Sequence, residues 1–338
     1  MSKHQPSRIL MMRITFGIVL FGVLVLAGCG SQESGEPKPL KLAYVMAPGG
    51  PAHDAAEILA RLIKEKTAGQ LTIKLFPSAQ LGNDRELAEA VMIGSIDMVV
   101  SGTAPIGWYL PEYGAIEAPF AFRDYGHLDA VLDGPIGQEI TKAFLNERQT
   151  RIIDWWHRGP RYLTTTDRKI TKPADLEGLK LRVPELPTYI QAWRLLGTNP
   201  TPITYSEIFM ALKQGIVEGQ ENPLEVIYTS SFAEVQKYVM KTEHLLGAYM
   251  VMMNEAKFER LSPEHQKALV EAVEEAGRRE HELMVQYDDE FTKKLHAAGV
   301  EFVDVDREAF RTTVVTALAE RFQDQWTPGL FRRMIETK

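Results

Sequence analysis

Two short stretches each set a side chain able to grip a carboxylate at the end of a strand-like run. In Gly178–Leu179–Lys180–Leu181–Arg182–Val183–Pro184 it is the arginine, and in Val217–Glu218–Gly219–Gln220–Glu221–Asn222–Pro223 it is the asparagine. Arginine presents a planar fork that matches a carboxylate, which lysine cannot imitate. The asparagine amide can donate to the same group. Open α/β sheets gather their ligand contacts beyond the carboxyl ends of the strands, which is where these residues fall. Each also has a plainer reading. Arg182 could pair with Glu185 or Glu218, and Asn222 could simply make an Asn-Pro turn. Arg161 opens Arg161–Tyr162–Leu163–Thr164–Thr165 after Gly159–Pro160 and is either a second cationic contact or a surface charge. Trp155, Trp156, Trp193 and Tyr205 either stack on the apolar face of a ligand or fill the core.

Enzyme signatures are missing. There is no HExxH, GxSxG, P-loop or GxGxxG, and His53, His127, His157, His244, His265, His281 and His296 are dispersed without metal-ligand spacing. His281 and His296 fall among charged residues of a helix and read as solvated. The expectation is therefore no catalytic residue, no metal and no cofactor.

The N-terminus speaks to compartment. Lys3, Arg8 and Arg13 form a positive segment without acids, and Ile14 to Gly28 is an uncharged apolar run of fifteen. That suits a secretory signal, because a spanning helix needs about 20 apolar residues. Residues 1–28 are thus expected to be a signal peptide. Cys29 is the single cysteine of 338 residues, so an intrachain disulfide is impossible. Leu26–Ala27–Gly28–Cys29 resembles the lipobox of bacterial lipoproteins, which implies lipidation of Cys29. Ser31 to Pro39 is polar and non-periodic, and 29–39 reads as a tether.

Removing residues 1–28 deletes three cations and no anion, so the formal net charge of −7 becomes −10. This argues against a nucleic-acid partner, which would need a basic surface. About 300 mature residues exceed the usual size of one core, so two lobes are expected.

Strand, helix, strand, helix, strand is the pattern of a parallel α/β lobe. It runs through Leu40–Val45, a helix with Ala55, Ile58, Leu59, Leu62 and Ile63 on one face, Leu71–Leu75, a helix capped by Asn83 or Asp84, and Ile96–Val100. By this pattern the second lobe is expected to start near Arg151–Trp155. It continues through a strand at Leu179–Val183, a helix at Tyr189–Leu196, a helix capped by Ser206, a strand stub at Ile216–Val217 and a buried strand within His244–Met253. The longest element starts at Ser262–Pro263–Glu264, with a capping serine, proline at the first helical position and an acid in the first turn. Leu269, Val273, Ala276, Met284, Tyr287, Phe291 and Leu295 share one face to about His296, and Gly299 stops it. At 1.5 Å per residue it is about 50 Å long and should lie along both lobes. Gly277, near its middle, is expected either to let it bend or to permit close packing.

From about Leu40 to Thr327 the chain resembles the solute-binding subunit of tripartite ATP-independent periplasmic (TRAP) transporters, DctP type. The resemblance rests on Leu75 to Gly82 (LFPSAQLG), Ala118–Pro119–Phe120, Arg161 to Thr165, Gly178 to Pro184, Pro200–Thr201–Pro202, Tyr205–Ser206–Glu207, Gly219 to Pro223, Glu234 to Tyr238 and Leu261–Ser262–Pro263. It implies two open-sheet α/β lobes joined by hinge strands, with a long helix spanning both. The expected division is 40–159 plus about 248–287 for one lobe and 160–247 plus about 288–338 for the other. It implies a ligand carboxylate held by Arg182, assisted by Asn222 and Arg161. Tyr205 matches a ring that packs on the ligand, and Asp84 and His53 fall near positions facing ligand hydroxyls. Sialate-binding members carry a glutamate and an arginine where this chain has Gly102 and Pro105, which turns the expectation away from sialate.

The resulting expectation is a monomeric, lipid-anchored receptor in the cell envelope outside the cytoplasmic membrane. It would deliver an organic acid to TRAP permease subunits. A sugar acid such as a hexuronate or aldonate is favoured, with C4-dicarboxylates and keto acids as alternatives. An extracytoplasmic enzyme acting on a sugar acid, or a sensor subunit of a signalling receptor, are the alternative functions.

Overall fold

Residues 39–338 are described by the computed structural model, so the signal segment, Cys29 and the tether up to residue 38 lie outside the described residues. The strands, in chain order, are β1 (Leu40–Ala43), β2 (Ile73–Phe76), β3 (Met98–Gly102), β4 (Thr150–Arg158), β5 (Arg161–Thr165), β6 (Lys180–Val183), β7 (Asn199–Pro202), β8 (Gly219–Pro223), β9 (Tyr238–Met240), β10 (Gly247–Asn254) and β11 (Glu301–Val303). They form two sheets, ordered β2-β1-β3-β10-β4 and β11-β9-β5-β8-β6-β7. β1, β2 and β3 are parallel, as the strand–helix alternation predicts, and β10 runs antiparallel between β3 and β4. The second sheet mixes parallel β6–β7, β6–β8 and β9–β11 pairs with antiparallel β5–β8 and β5–β9. The result is a two-lobe α/β fold.

The chain passes from the first sheet to the second through Gly159–Pro160, returns between Met240 and Gly247, and crosses again along the long helix. The expectation that the second lobe starts near Arg151 is corrected here. β4 pairs with β10 along its whole length, so Arg151–Trp155 belongs to the first sheet and the second begins at Arg161. Two further readings shift. The strand expected at Ile216–Val217 is β8, whose Gly219–Gln220–Glu221–Asn222–Pro223 is entirely buried. A buried polar strand has no apolar periodicity to reveal it. Ser206 caps no helix. It sits in a 3₁₀ turn, Tyr205–Glu207, that leads into Ile208–Lys213 without a side-chain cap, while Glu207 takes the Thr204 hydroxyl at 2.7 Å.

The long helix is Pro263–Ala297, 35 residues, with the Ser262 hydroxyl accepting the His265 amide as the sequence predicts. Leu269, Ala272, Val273 and Ala276 join the core cluster that holds the first sheet, against β4 and the helix Pro51–Lys66. Phe291 and Leu295 join the smaller cluster with Tyr162, Ile227, Val239 and Val300. One rod thus packs on both lobes. The larger cluster does not respect the lobe division, since Leu163, Leu181, Val183 and Trp193 of the second lobe belong to it.

Gly277 marks where the helix meets β4. A Cβ there would stand 2.6 Å from Asp154 Oδ2 and 2.7 Å from Trp156 Cδ1, which favours close packing as the reason for the glycine. The same approach overturns the solvated reading of His281. Its ring stacks on His157 with centroids 3.4 Å apart and 5° between planes. Burial and the neighbouring His157 push it down to about 4. His296 is exposed as expected.

Candidate ligand-binding site

A cleft opens between the two sheets. Val45, Met46, Asp84, Gly102 and Glu117 line it from one side, and Arg161, Arg182, Tyr205 and Asn222 from the other. Its empty volume, including the mouth, is about 840 Å³. Over it, Trp108 Nε1 donates to the Glu185 carbonyl at 2.9 Å, bridging the lobes.

Arg182 lies on β6, one residue before the strand ends at Val183–Pro184, and is only 4% exposed. Its Nε donates to the Ile203 carbonyl at 2.8 Å. Among the described residues no carboxylate comes within ion-pair distance of it, so neither Glu185 nor Glu218 claims it. Glu218 instead accepts the Lys180 amide at 3.0 Å. Burial pushes Arg182 down to about 10, with Arg161 and Arg158 acting the same way and Glu221 and Asp84 opposing. Its two Nη groups form no hydrogen bond among the described residues, so their donors are unspent.

Arg161 is equally buried but differently committed. Its Nη2 donates to Glu221 Oε1 at 2.8 Å and to the Glu221 carbonyl at 2.6 Å, and Nε reaches Glu221 Oε2. His244 Nε2 shares that oxygen at 2.9 Å. Burial would raise the Glu221 carboxyl, but the Arg161 charge and the hydrogen bonds from Arg161 and His244 outweigh it and hold it at about 2. Burial also lowers His244, against the Glu221 bond. Arg161 is therefore no surface charge. It lines the cleft with its charge largely answered from within, and only Nη1 forms no protein hydrogen bond.

Asn222 stands in β8 opposite Tyr162, in a strand and not a turn. Its Nδ2 donates to Gln220 Oε1 at 2.6 Å, Gln220 Nε2 to Thr164 Oγ1 at 2.9 Å, and Thr164 in turn to Gln236 Oε1 at 2.8 Å. This chain of buried amides and hydroxyls fixes the Asn222 side chain, as satisfied polar networks do. Tyr205 lines the cleft with its hydroxyl 2.6 Å from Ser230 Oγ. Asn83 caps the helix Asp84–Met92, closing a reciprocal box with Glu86, so Asp84 is free to face the cleft. Burial raises its carboxyl, against the Arg158 and Arg182 charges.

His53 is not brought together with these. Its Nδ1 is 2.8 Å from the Tyr44 hydroxyl, and it lines a smaller adjoining cavity with Tyr205, Glu225 and Thr229. The sequence reading missed Arg158, Glu117, Tyr189 and Tyr249, all on the cleft wall. Arg158 carried the same signal as Arg182, an arginine ending a strand ahead of a proline, here Gly159–Pro160. Glu117 carried none, because it lies inside the apolar run Ala115–Phe122. It is 3% exposed, and burial raises it to about 7 against the charges of Arg158 and Arg161. The wall holds acids, arginines and tyrosines without a nucleophile paired to a base. Among the described residues no group of His, Cys, Asp and Glu is placed to hold a metal.

Residues 42–325 match the model of DctP, bacterial extracellular solute-binding protein, family 7. The chain is 33% identical over 310 residues to the 2,3-diketo-L-gulonate-binding periplasmic protein of Escherichia coli, covering 91% of this chain and 93% of that one. A TRAP periplasmic solute-binding protein from Roseobacter denitrificans, solved with bound L-galactonate, superposes with a TM-score of 0.81 at 32% identity, over 88% of this chain and 97% of that one. One from Polaromonas, bound to D-erythronate, superposes with a TM-score of 0.84 at 30% identity, over 89% and 99%. With a cleft built to receive an anion and relatives of this kind across nearly its whole length, the chain belongs to the DctP family of bacterial extracellular solute-binding proteins and is a TRAP-type receptor, not an enzyme.

Proposed function

We propose that the cleft captures a polyhydroxylated monocarboxylate, a sugar acid such as a hexuronate or aldonate, and presents it to a TRAP permease. The observation that carries this is Arg182, whose guanidinium is almost wholly buried, lines the cleft with Asn222 and is paired with no carboxylate among the described residues. A buried cation without an anion is costly, and a ligand carboxylate offsets that cost through bidentate, charge-assisted bonds. Arg161 through Nη1 and Asn222 through its amide complete the carboxylate pocket. Tyr205 packs on the carbon chain and Asp84 accepts from hydroxyls. His53, held by Tyr44, acts from the adjoining cavity. Relatives that bind diketo-L-gulonate, L-galactonate and D-erythronate support the ligand class.

The lobes are taken as 40–159 plus about 248–287 and 160–247 plus about 288–338, hinged at Gly159–Pro160 and near 248. The receptor works as a monomer, held at the membrane by a lipid on Cys29. Ligand contacts on both lobes favour the closed arrangement. Calorimetry with L-galactonate, D-glucuronate, succinate and pyruvate tests the reading. A sugar acid is expected to bind best, and Arg182→Lys to weaken it at least about tenfold, since each charged hydrogen bond contributes roughly 1.5–3 kcal/mol. An unchanged dissociation constant in Arg182→Lys would make Arg182 merely structural.

A further inference from the structure

Arg158 reaches the cleft by an uncommon route. It ends β4, the edge strand of the first sheet, and its side chain folds back across β10 towards β3. Its Cδ lies against Gly247, its pairing partner, and its guanidinium sits over the Tyr249 ring, 5.3 Å from the centroid. The tip ends above Gly102 of β3, the residue paired with Tyr249. A Cβ at position 102 would stand 2.7 Å from Arg158 Nη1, so only glycine leaves the guanidinium where it is.

There its donors are unspent. Among the described residues Arg158 forms no ion pair, and its buried Nε has no hydrogen-bond partner. Asp84 and Glu117 line the same cleft, and the Arg158 charge acts on both and on Glu225. A second ligand carboxylate placed here would crowd the Asp84 and Glu117 carboxyls on the cleft wall, and like charges at close range repel. A hydroxyl suits the place better, because it can accept from Arg158 while donating to Asp84 or Glu117.

Building on the sugar-acid reading, we infer that Arg158, seated by Gly102, is a ligand-contacting residue that recognises the hydroxyls of the bound acid rather than a second acidic group. Arg182 holds the carboxylate, and Arg158 selects polyhydroxylated monoacids over diacids. Specificity then depends on a pair from two strands that are not neighbours in the sheet.

Calorimetry on the purified protein tests this with L-galactonate, D-glucuronate and the diacid galactarate, for wild type, Arg158→Gln, Gly102→Ala and the double variant. Melting curves verify that each variant folds. Wild type should bind a monoacid more tightly than galactarate. Arg158→Gln should lose at least tenfold in monoacid affinity, Gly102→Ala a similar factor by displacing the guanidinium, and the double variant little more than either alone. Unchanged monoacid affinity in Arg158→Gln overturns the assignment even if Arg182→Lys abolishes binding. Losses that multiply in the double variant overturn the coupling through Gly102. A wild type preferring galactarate, with that preference lost in Arg158→Gln, makes Arg158 a second anion site and overturns the hydroxyl role. If neither monoacid binds wild type, the sugar-acid reading fails and this inference fails with it.

Discussion

At Glu225 the protein buries a carboxyl with one oxygen, Oε2, unanswered, while Oε1 accepts the Tyr249 hydroxyl at 3.0 Å. Burial lifts this acid to about 7, against the Tyr249 bond and the Arg158 charge. A raised carboxyl favours the folded state fully below its ordinary value, and that contribution is lost as pH rises through 7. Glu225→Gln keeps an acceptor for Tyr249 and cannot ionise. Its melting temperature should match wild type at pH 5 and exceed it by several degrees at pH 8.5, measured by scanning calorimetry. Parallel curves would mean that Glu225 is charged without penalty. Glu221 is the opposite case at the same scale, because Arg161 and His244 hold it ionised at about 2, and its contribution is lost only as pH falls through that value.

At the scale of elements, the long helix can span both lobes because its buried face changes partner along its length. Small residues meet β4 and the helix Pro51–Lys66, and the aromatic Phe291 meets the second cluster. Glu280 sits on that buried face, its Oε2 accepting the His157 amide at 3.0 Å, and burial raises its carboxyl well above the ordinary range. Gly277→Ala drives a methyl against the Trp156 ring, which is wedged in the core and has little room to yield. Overpacking of this kind costs about 1–3 kcal/mol. Urea denaturation should show that loss, with the slope against urea unchanged. Undiminished stability would show slack between helix and strand and return the bending role to Gly277.

At the scale of the whole molecule, the cleft belongs to neither lobe. Arg182, Asn222 and Tyr205 come from one, Asp84, Gly102 and Arg158 from the other, and the Trp108–Glu185 bond ties the two over the mouth. No described helix is long and apolar enough to cross a membrane, and the attachment proposed above is the lipid on Cys29. Cys29→Ala should move the protein from the membrane fraction to the soluble exported fraction, followed by immunoblotting of cell fractions. Identical partitioning of the two into the soluble exported fraction would rule out the lipid anchor.

What the sequence determined by itself is what lies within a turn or two of chain. The Asn83 and Ser262 caps, the strand that stops at the proline after Arg182, and the long helix were legible because their causes are local. The tertiary structure alone decided which sheet β4 joins, since its one partner in the sheet, β10, comes from a distant part of the chain. It decided that polar β8 is buried, because Gln220 and Glu221 find partners on β5 and at His244, and Asn222 is held in turn by Gln220. It also separated three arginines of one residue type. Arg161 is neutralised by a glutamate 60 residues away, Arg182 has no carboxylate partner among the described residues, and Arg158 reaches across β10 to the space above Gly102. Which charge stays free depends on distances no local pattern encodes, and a free buried charge is the feature on which the proposed carboxylate site rests.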